Sequence, residues 1–318
     1  MEESVLTVRN LRAEYPSAIA VDGLSFSVKR GECLALVGES GSGKSTIALS
    51  LLRLGKAKLS GEVLFSGRNL LDLTEKEMTE IRGREISAVF QDSMSGLNPV
   101  ITVGHQLVYV IRLNDRKSSK QSVKRRAVEY LSSVGLEDAT RIYSLYPHEL
   151  SGGMRQRVMI AMALAAGSSS LLIADEPTTA LDVTVQKGIL SLLRKMIDEK
   201  AMAMLLISHD LGVVSALADR ILVLYGGKLM EERDAQSFFS SPRHPYSKAL
   251  LRSARGDYDG DKLFVISGNP FQLGDVCTGC RFASRCHEAI EKCFQSEPPV
   301  STSERCSLRC WKYGVCDG

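Results

Sequence analysis

Eight consecutive residues, Gly38-Glu39-Ser40-Gly41-Ser42-Gly43-Lys44-Ser45, fit the pattern G-x-x-x-x-G-K-[ST]. Each residue type has a chemical reason. The glycines let the backbone curl so that its N–H groups turn inward toward phosphate oxygens. A helix beginning near Lys44 adds the positive end of its dipole. Lys44 supplies a mobile cation for the β- and γ-phosphates, and Ser45 supplies a hydroxyl ligand for Mg²⁺. A second motif, Leu171-Leu172-Ile173-Ala174-Asp175-Glu176, is an apolar run ending in two carboxylates. Asp175 can hold Mg²⁺ directly or through water, and Glu176, one residue on, can polarise an attacking water. His209 follows another apolar run, where a histidine can sense a γ-phosphate.

These groups need a scaffold of strands and helices, and the hydrophobic pattern supplies one. Val5–Arg9, Leu24–Val28, Glu32–Val37, Glu62–Ser66 and Ile86–Phe90 read as strands, with a helix at Lys44–Leu54. From Thr102 to Ala166 the pattern turns helical, with amphipathic stretches at Ser118–Val134 and Gly152–Ala166. Strand signals return at Leu171–Ala174, Met204–Ser208, Ile221–Leu224 and Lys228–Glu231. Helical stretches at Val183–Glu199 and Leu211–Ala218 separate the first three. Such alternation predicts an α/β fold with a largely parallel, covered sheet. After Asp234, prolines and glycines break up the regular pattern, and Leu263–Ile266 reads as an isolated strand.

Composition narrows the classes. The chain has 318 residues with a formal net charge of +3, which gives no global electrostatic case for nucleic acid. The longest strongly apolar run, Val158–Gly167, is half the ~20 residues a membrane span needs. The acidic start, Met-Glu-Glu-Ser, does not resemble a secretory signal. The expected location is therefore cytoplasmic.

A further motif narrows the family. Leu150-Ser151-Gly152-Gly153-Met154-Arg155-Gln156-Arg157 resembles the signature of ATP-binding-cassette (ABC) ATPases, with Met154 where Gln is commoner. The other motifs follow in the family's order. Tyr15 resembles the aromatic residue that stacks on adenine, Gln91 the Q-loop glutamine, Ala180-Leu181-Asp182 the D-loop and His209 the switch histidine. The resemblance implies a P-loop cassette with a RecA-like core, an antiparallel β subdomain and an α-helical signature subdomain. It implies ATP contacts at Tyr15, Gly38, Ser40, Gly41, Ser42, Gly43, Lys44, Ser45, Thr46 and Gln91. Mg²⁺ falls to Ser45, Gln91 and Asp175, and catalysis to Glu176, His209 and Gln91. Ser151, Gly152, Gly153 and Met154 would reach a partner's ATP in trans, with Asp182 in the D-loop.

The runs Gln91–Pro99, Tyr146–Leu164 and Asp175–Thr184 look like one subgroup, the ATPase subunits of dipeptide, oligopeptide and nickel importers, and Ser241–Leu251 is similar to the His-Pro-Tyr element that extends these cassettes. The Met-Arg-Gln-Arg-Val-Met form resembles the "D" member of a pair. The implied partners are an F-type ATPase subunit in a heterodimer, two membrane permease subunits and an extracytoplasmic solute-binding protein, at the cytoplasmic face of the membrane. The implied domains are a cassette at 1–235, with a helical subdomain at about 92–166, and an extension at 236–318. Asp92–Pro99 would link Gln91 to the membrane partner. Two departures stand out: Gly167-Ser168-Ser169-Ser170 replaces a Pro-containing turn, and Ser208 stands where Thr is common.

Seven of the eight cysteines (Cys277, Cys280, Cys286, Cys293, Cys306, Cys310 and Cys316) lie in the last 42 residues. In a reducing compartment such a cluster suggests metal or redox chemistry. Cys280, Cys286, Cys293 and Cys306 resemble the four-cysteine pattern of this subgroup's tails, which implies a [4Fe–4S] cluster. Zn²⁺, and free or disulfide-bonded thiols, are the alternatives. Cys277, Cys310 and Cys316 are then surplus. The rival reading overall is a soluble ABC ATPase with a redox- or metal-sensing tail.

Overall fold

A phosphate loop needs a strand to deliver it and a helix to leave it, and a computed structural model of the chain has both. It describes residues 4–91, 96–166, 170–275, 277–303 and 306–314. Three sequence features lie wholly or partly outside these: residues 92–95 of the loop after Gln91, 167–169 of the turn, and Cys316. The chain divides into two compact units interleaved in sequence. One comprises residues 1–5, 29–32 and 73–205, the other 6–28, 33–72 and 206–318.

The second unit holds the phosphate loop. Strands β1 (Ser4–Tyr15) and β2 (Ala18–Lys29) form a hairpin. Strand β3 (Cys33–Val37), buried at all five positions, leads into the loop, and helix α1 (Lys44–Leu51) leaves it. Strands β4 (Lys58–Phe65) and β5 (Arg68–Asn69) follow, giving a four-stranded sheet of order β2-β1-β4-β5 with β1 and β4 antiparallel.

The first unit takes over at α2 (Glu75–Ile81), which opens on a Thr74–Glu77 capping box. Strand β6 (Ile86–Val89) precedes four helices, α3 (Val103–Asn114), α4 (Lys120–Ser133), α5 (Ala139–Ser144) and α6 (Gly152–Ala165), which form the helical part. Strand β7 (Leu171–Asp175) pairs in parallel with β6, α7 (Val183–Lys200) follows, and β8 (Ala203–Ile207) lies on the other side of β7. Every residue of β7 and β8 is buried, the pattern of strands covered on both faces.

The chain then returns to the second unit through α8 (Leu211–Leu217), β9 (Arg220–Tyr225) and β10 (Lys228–Asp234). Strand β9 runs parallel to β3 and antiparallel to β10. Beyond Asp234 come α9 (Ala235–Ser240) and the 11-residue α10 (Pro245–Arg255), the short hairpin β11 (Tyr258–Asp259) and β12 (Lys262–Leu263), and α11 (Glu291–Gln295). Strands β13 (Ser301–Ser303) and β14 (Cys306–Leu308) close the tail. Strand β14 pairs antiparallel with β10, and β13 with β14, so the tail extends the sheet that carries the phosphate loop. The strand expected at Leu263–Ile266 is reduced to the two residues of β12.

Candidate nucleotide-binding site

The phosphate loop owes its path to its glycines. Gly38, Gly41 and Gly43 have φ of 152°, 79° and 101°. A Cβ on Gly38 would stand 2.2 Å from the Leu224 carbonyl oxygen, and one on Gly43 would stand 2.5 Å from that of Ala20. Lys44 Nζ turns back into the loop and donates to the carbonyls of Gly38 (2.7 Å) and Glu39 (2.9 Å) and to Ser42 Oγ (3.3 Å). Ser45, in the first turn of α1, is exposed. An exposed hydroxyl at a helix N-terminus is the hard oxygen donor that Mg²⁺ takes. Tyr15 ends β1 half-buried and, with Phe271, Asp275 and Arg281, lines a cavity of about 300 Å³.

Glu39 has partners that the pattern did not suggest. Its backbone N–H donates to the Tyr246 hydroxyl (2.9 Å). Its carboxylate receives a two-pronged ion pair from Arg285 (2.5 and 3.0 Å). The His-Pro-Tyr element explains itself here. His244 caps α10, its Nδ1 accepting the Tyr246 N–H at 3.0 Å; Pro245 sits at the first helical position; and Tyr246 reaches the loop. The fully buried Glu231 carboxylate accepts the N–H groups of Arg243 (2.9 Å) and His244 (2.8 Å). Burial pushes the His244 ring down to about 4, against a weaker upward pull from its hydrogen bond to the Arg309 backbone.

His209 is exposed just after β8, and Asp210 caps α8 by accepting the N–H of Gly212. The buried Ser208 hydroxyl accepts the Asp210 N–H at 3.1 Å, so serine at this position still orders the turn.

In the other unit, Asp175 ends β7 with 4% exposure. Glu176 is buried and held at φ 52°, a left-handed conformation that costs a non-glycine residue ~1 kcal/mol or more. Its carboxylate accepts the Thr179 hydroxyl at 3.0 Å. Ser151 caps α6, accepting the Met154 N–H at 3.3 Å, so Ser151, Gly152 and Gly153 form the helix N-terminus that the signature requires. Gln156, three residues beyond Gly153 in the signature segment, makes a structural link. It is buried, donates to the Glu176 carbonyl (2.9 Å) and accepts the Ala180 N–H (3.1 Å), tying the signature helix to the segment after β7. Gly153 packs there too; a Cβ would meet the Ala180 carbonyl at 2.9 Å. Asp182 caps α7, accepting the Val185 N–H at 3.0 Å. Gln91 is exposed just beyond β6.

The cysteine expectation needs correction. Cys306 is disulfide-bonded, so it is not available as the fourth thiolate. Cys280, Cys286, Cys293 and Cys310 are free. Burial first, then neighbouring thiols, pushes Cys280 up to about 12, and burial likewise raises Cys286. Both feel Cys310, a residue that spacing had left surplus. Among the described residues, no three or more His, Cys, Asp or Glu stand together closely enough to hold a metal ion. The predicted set of Cys280, Cys286, Cys293 and Cys306 therefore does not fit a [4Fe–4S] cluster in this structure.

Comparison with known proteins places this geometry in a family. Residues 21–179 match the ABC transporter family, and residues 230–293 match the oligopeptide/dipeptide transporter C-terminal region. The chain is 42% identical to the oligopeptide transport ATP-binding protein AppD of Bacillus subtilis, over 98% of this chain and 97% of that one. It is 43% identical to the oligopeptide transport ATP-binding protein OppD of Escherichia coli, over 98% and 94%. Among solved structures, the dimeric ABC transporter cassette MJ0796 superposes with a TM-score of 0.67 at 32% identity, over 72% of this chain and 98% of that one. The same cassette in a post-hydrolysis state bound to ADP and Pi gives the same score at 31% identity, with the same coverage. The fold is thus the ABC ATPase cassette, and the chain belongs to the ATP-binding subunits of the oligopeptide/dipeptide ABC transporters.

Proposed function

We propose that this chain binds Mg-ATP and hydrolyses it to drive import of di- or oligopeptides through partner membrane subunits. The observation that carries this reading is the glycine cradle around Lys44, in one unit with an extension of the oligopeptide-transporter type. Residues 1–235 are the cassette, with its helical subdomain at about 92–166, and 236–318 are the extension. Lys44 and the N–H groups of the loop take the phosphates. Ser45, Asp175 and Gln91 are the residues that would offer oxygen to Mg²⁺, which would neutralise developing phosphate charge. Tyr15 stacks on the base, Glu176 polarises the attacking water and His209 responds to the γ-phosphate.

Ser151 to Met154 form a second anion-binding helix start, which serves the partner cassette's ATP in a head-to-tail pair with an F-type subunit. Supporting a membrane-facing role, Gln106 clamps the turn before α3 through Asn98 (3.0 Å) and the Ile101 carbonyl (2.8 Å), while Val100 is 79% and Ile101 40% exposed. No described helix is long and apolar enough to cross a membrane, so attachment falls to permease subunits at the cytoplasmic face, supplied by a solute-binding protein. The test is ATP hydrolysis across a dilution series with and without the paired ATPase subunit. Specific activity should rise with concentration and with the partner; a constant value for a monomer alone rejects the trans arrangement.

A further inference from the structure

The extension reaches the phosphate loop through one buried side chain. Arg285 ends a single 3-10 turn, Ala283–Arg285, and its side chain is 2% exposed. Its guanidinium is clamped from several sides. Nε donates to the Ser267 carbonyl (2.9 Å) and Nη2 to that of Ile266 (3.1 Å); Nη1 donates to the Tyr225 hydroxyl (3.1 Å); and the fork closes on both Glu39 oxygens. Behind it stands a wall of rings. Tyr225 meets Tyr246 edge-on at 4.7 Å and Phe282 at 5.3 Å, and Tyr246 lies 5.0 Å from Phe282. Tyr246 then takes the Glu39 N–H. The extension therefore holds the second residue of the phosphate loop at its backbone N–H and at its side chain, while Lys44 and Ser42 hold its carbonyl from within the loop.

The charge arrangement gives this a consequence. Glu39 places a carboxylate in a loop whose ligand is a polyanion. An unpaired carboxylate there repels phosphate, and in a partly buried site water screens the repulsion poorly. Arginine's planar fork cancels that charge and fixes the carboxylate's direction in a way a lysine does not.

We propose that Arg285 and Tyr246 are positioning residues of the nucleotide site: the C-terminal extension completes the phosphate loop by neutralising and anchoring Glu39. The proposal rests on reading Gly38–Ser45 as the phosphate cradle. It also ties the thiol-bearing segment to that cradle, since Arg285 immediately precedes Cys286.

The test is the affinity for mant-ATP with Mg²⁺ of the full chain and five variants. Arg285→Met keeps the apolar stem and should weaken binding about tenfold by leaving the Glu39 charge unpaired. Glu39→Gln should bind within about threefold of the parent, since it removes repulsion and clamp together. The double variant should recover to that same level, because neutralising Glu39 removes the need for Arg285; a merely structural arginine would show no such rescue. Tyr246→Phe, which loses only the hydroxyl, should weaken binding about threefold and decides the matter should Arg285→Met fail to fold. Parental affinity in Arg285→Met or in Tyr246→Phe, or a double variant as weak as Arg285→Met, overturns the proposal. Lys44→Ala separates this from the reading beneath it: unchanged binding in Lys44→Ala removes the cradle assignment, whereas lost binding there with no effect at Arg285 removes only the clamp.

Discussion

Acidification should loosen the extension through His244. Its ring is buried, accepts the Tyr246 N–H at Nδ1 and is held down to about 4 chiefly by burial. Lys248 adds a small downward push, and the Arg309 backbone and Glu288 pull upward. Because the folded value lies below the unfolded 6.5, the unfolded chain binds the extra proton. The contribution is therefore complete above pH 6.5 and is lost as pH falls from there toward 4. Between pH 7 and pH 5 the linkage relation gives a loss of about 2 kcal/mol, with 1.36 kcal/mol for each pH unit spanned. Trp311, the chain's one tryptophan, donates to the Ser296 carbonyl at 2.9 Å within the extension and so reports its unfolding. Urea titrations at the two pH values should be compared with His244→Asn, whose amide oxygen can still cap α10 but cannot titrate. The parent should lose about 2 kcal/mol more than the variant over this range. Equal losses, or a His244 resonance titrating near 6.5, would refute the reasoning.

Other expectations concern the catalytic unit. Glu176→Gln should bind ATP while hydrolysis falls ~10²-fold or more, measured by steady-state phosphate release. Gln156→Ala removes a donor to the Glu176 carbonyl and the acceptor of the Ala180 N–H, and should cost roughly 1–3 kcal/mol in chemical denaturation together with a lower kcat. Gly153→Ala brings a methyl against the Ala180 carbonyl, so hydrolysis should fall while single-chain nucleotide affinity stays parental. Ser208→Ala removes the acceptor of the Asp210 N–H and should cost about 1 kcal/mol of stability without abolishing hydrolysis.

The parts of the fold legible in the sequence were those with one strong local cause. The runs at Leu171–Ala174 and Met204–Ile207 are apolar at every position, and they emerge within strands buried throughout. The glycine loop is a short pattern whose local geometry follows from residue type, whereas the left-handed turn at Glu176 does not. What stayed hidden depends on partners distant in sequence. Nothing local marks Glu39 as an ion-pair partner of Arg285, which lies 246 residues away. Helix α10 was obscured because Pro242 and Pro245 read as breakers, whereas Pro245 occupies the first helical position, where its missing N–H costs nothing. The cysteine set failed for a related reason. Spacing counts residues along the chain, while Cys306 is placed by its strand pairing with Arg233 and Ser303 and is disulfide-bonded.

The central claim is that ATP hydrolysed by this chain powers peptide movement. The direct measurement is uptake of a labelled oligopeptide into proteoliposomes that hold the chain with its paired ATPase and permease subunits, with the solute-binding protein outside the permease's entry face. Uptake should require ATP on the side that this chain occupies and should stop in Glu176→Gln although nucleotide still binds. Uptake that continues at the parental rate in Glu176→Gln, or that proceeds without ATP, would contradict the account.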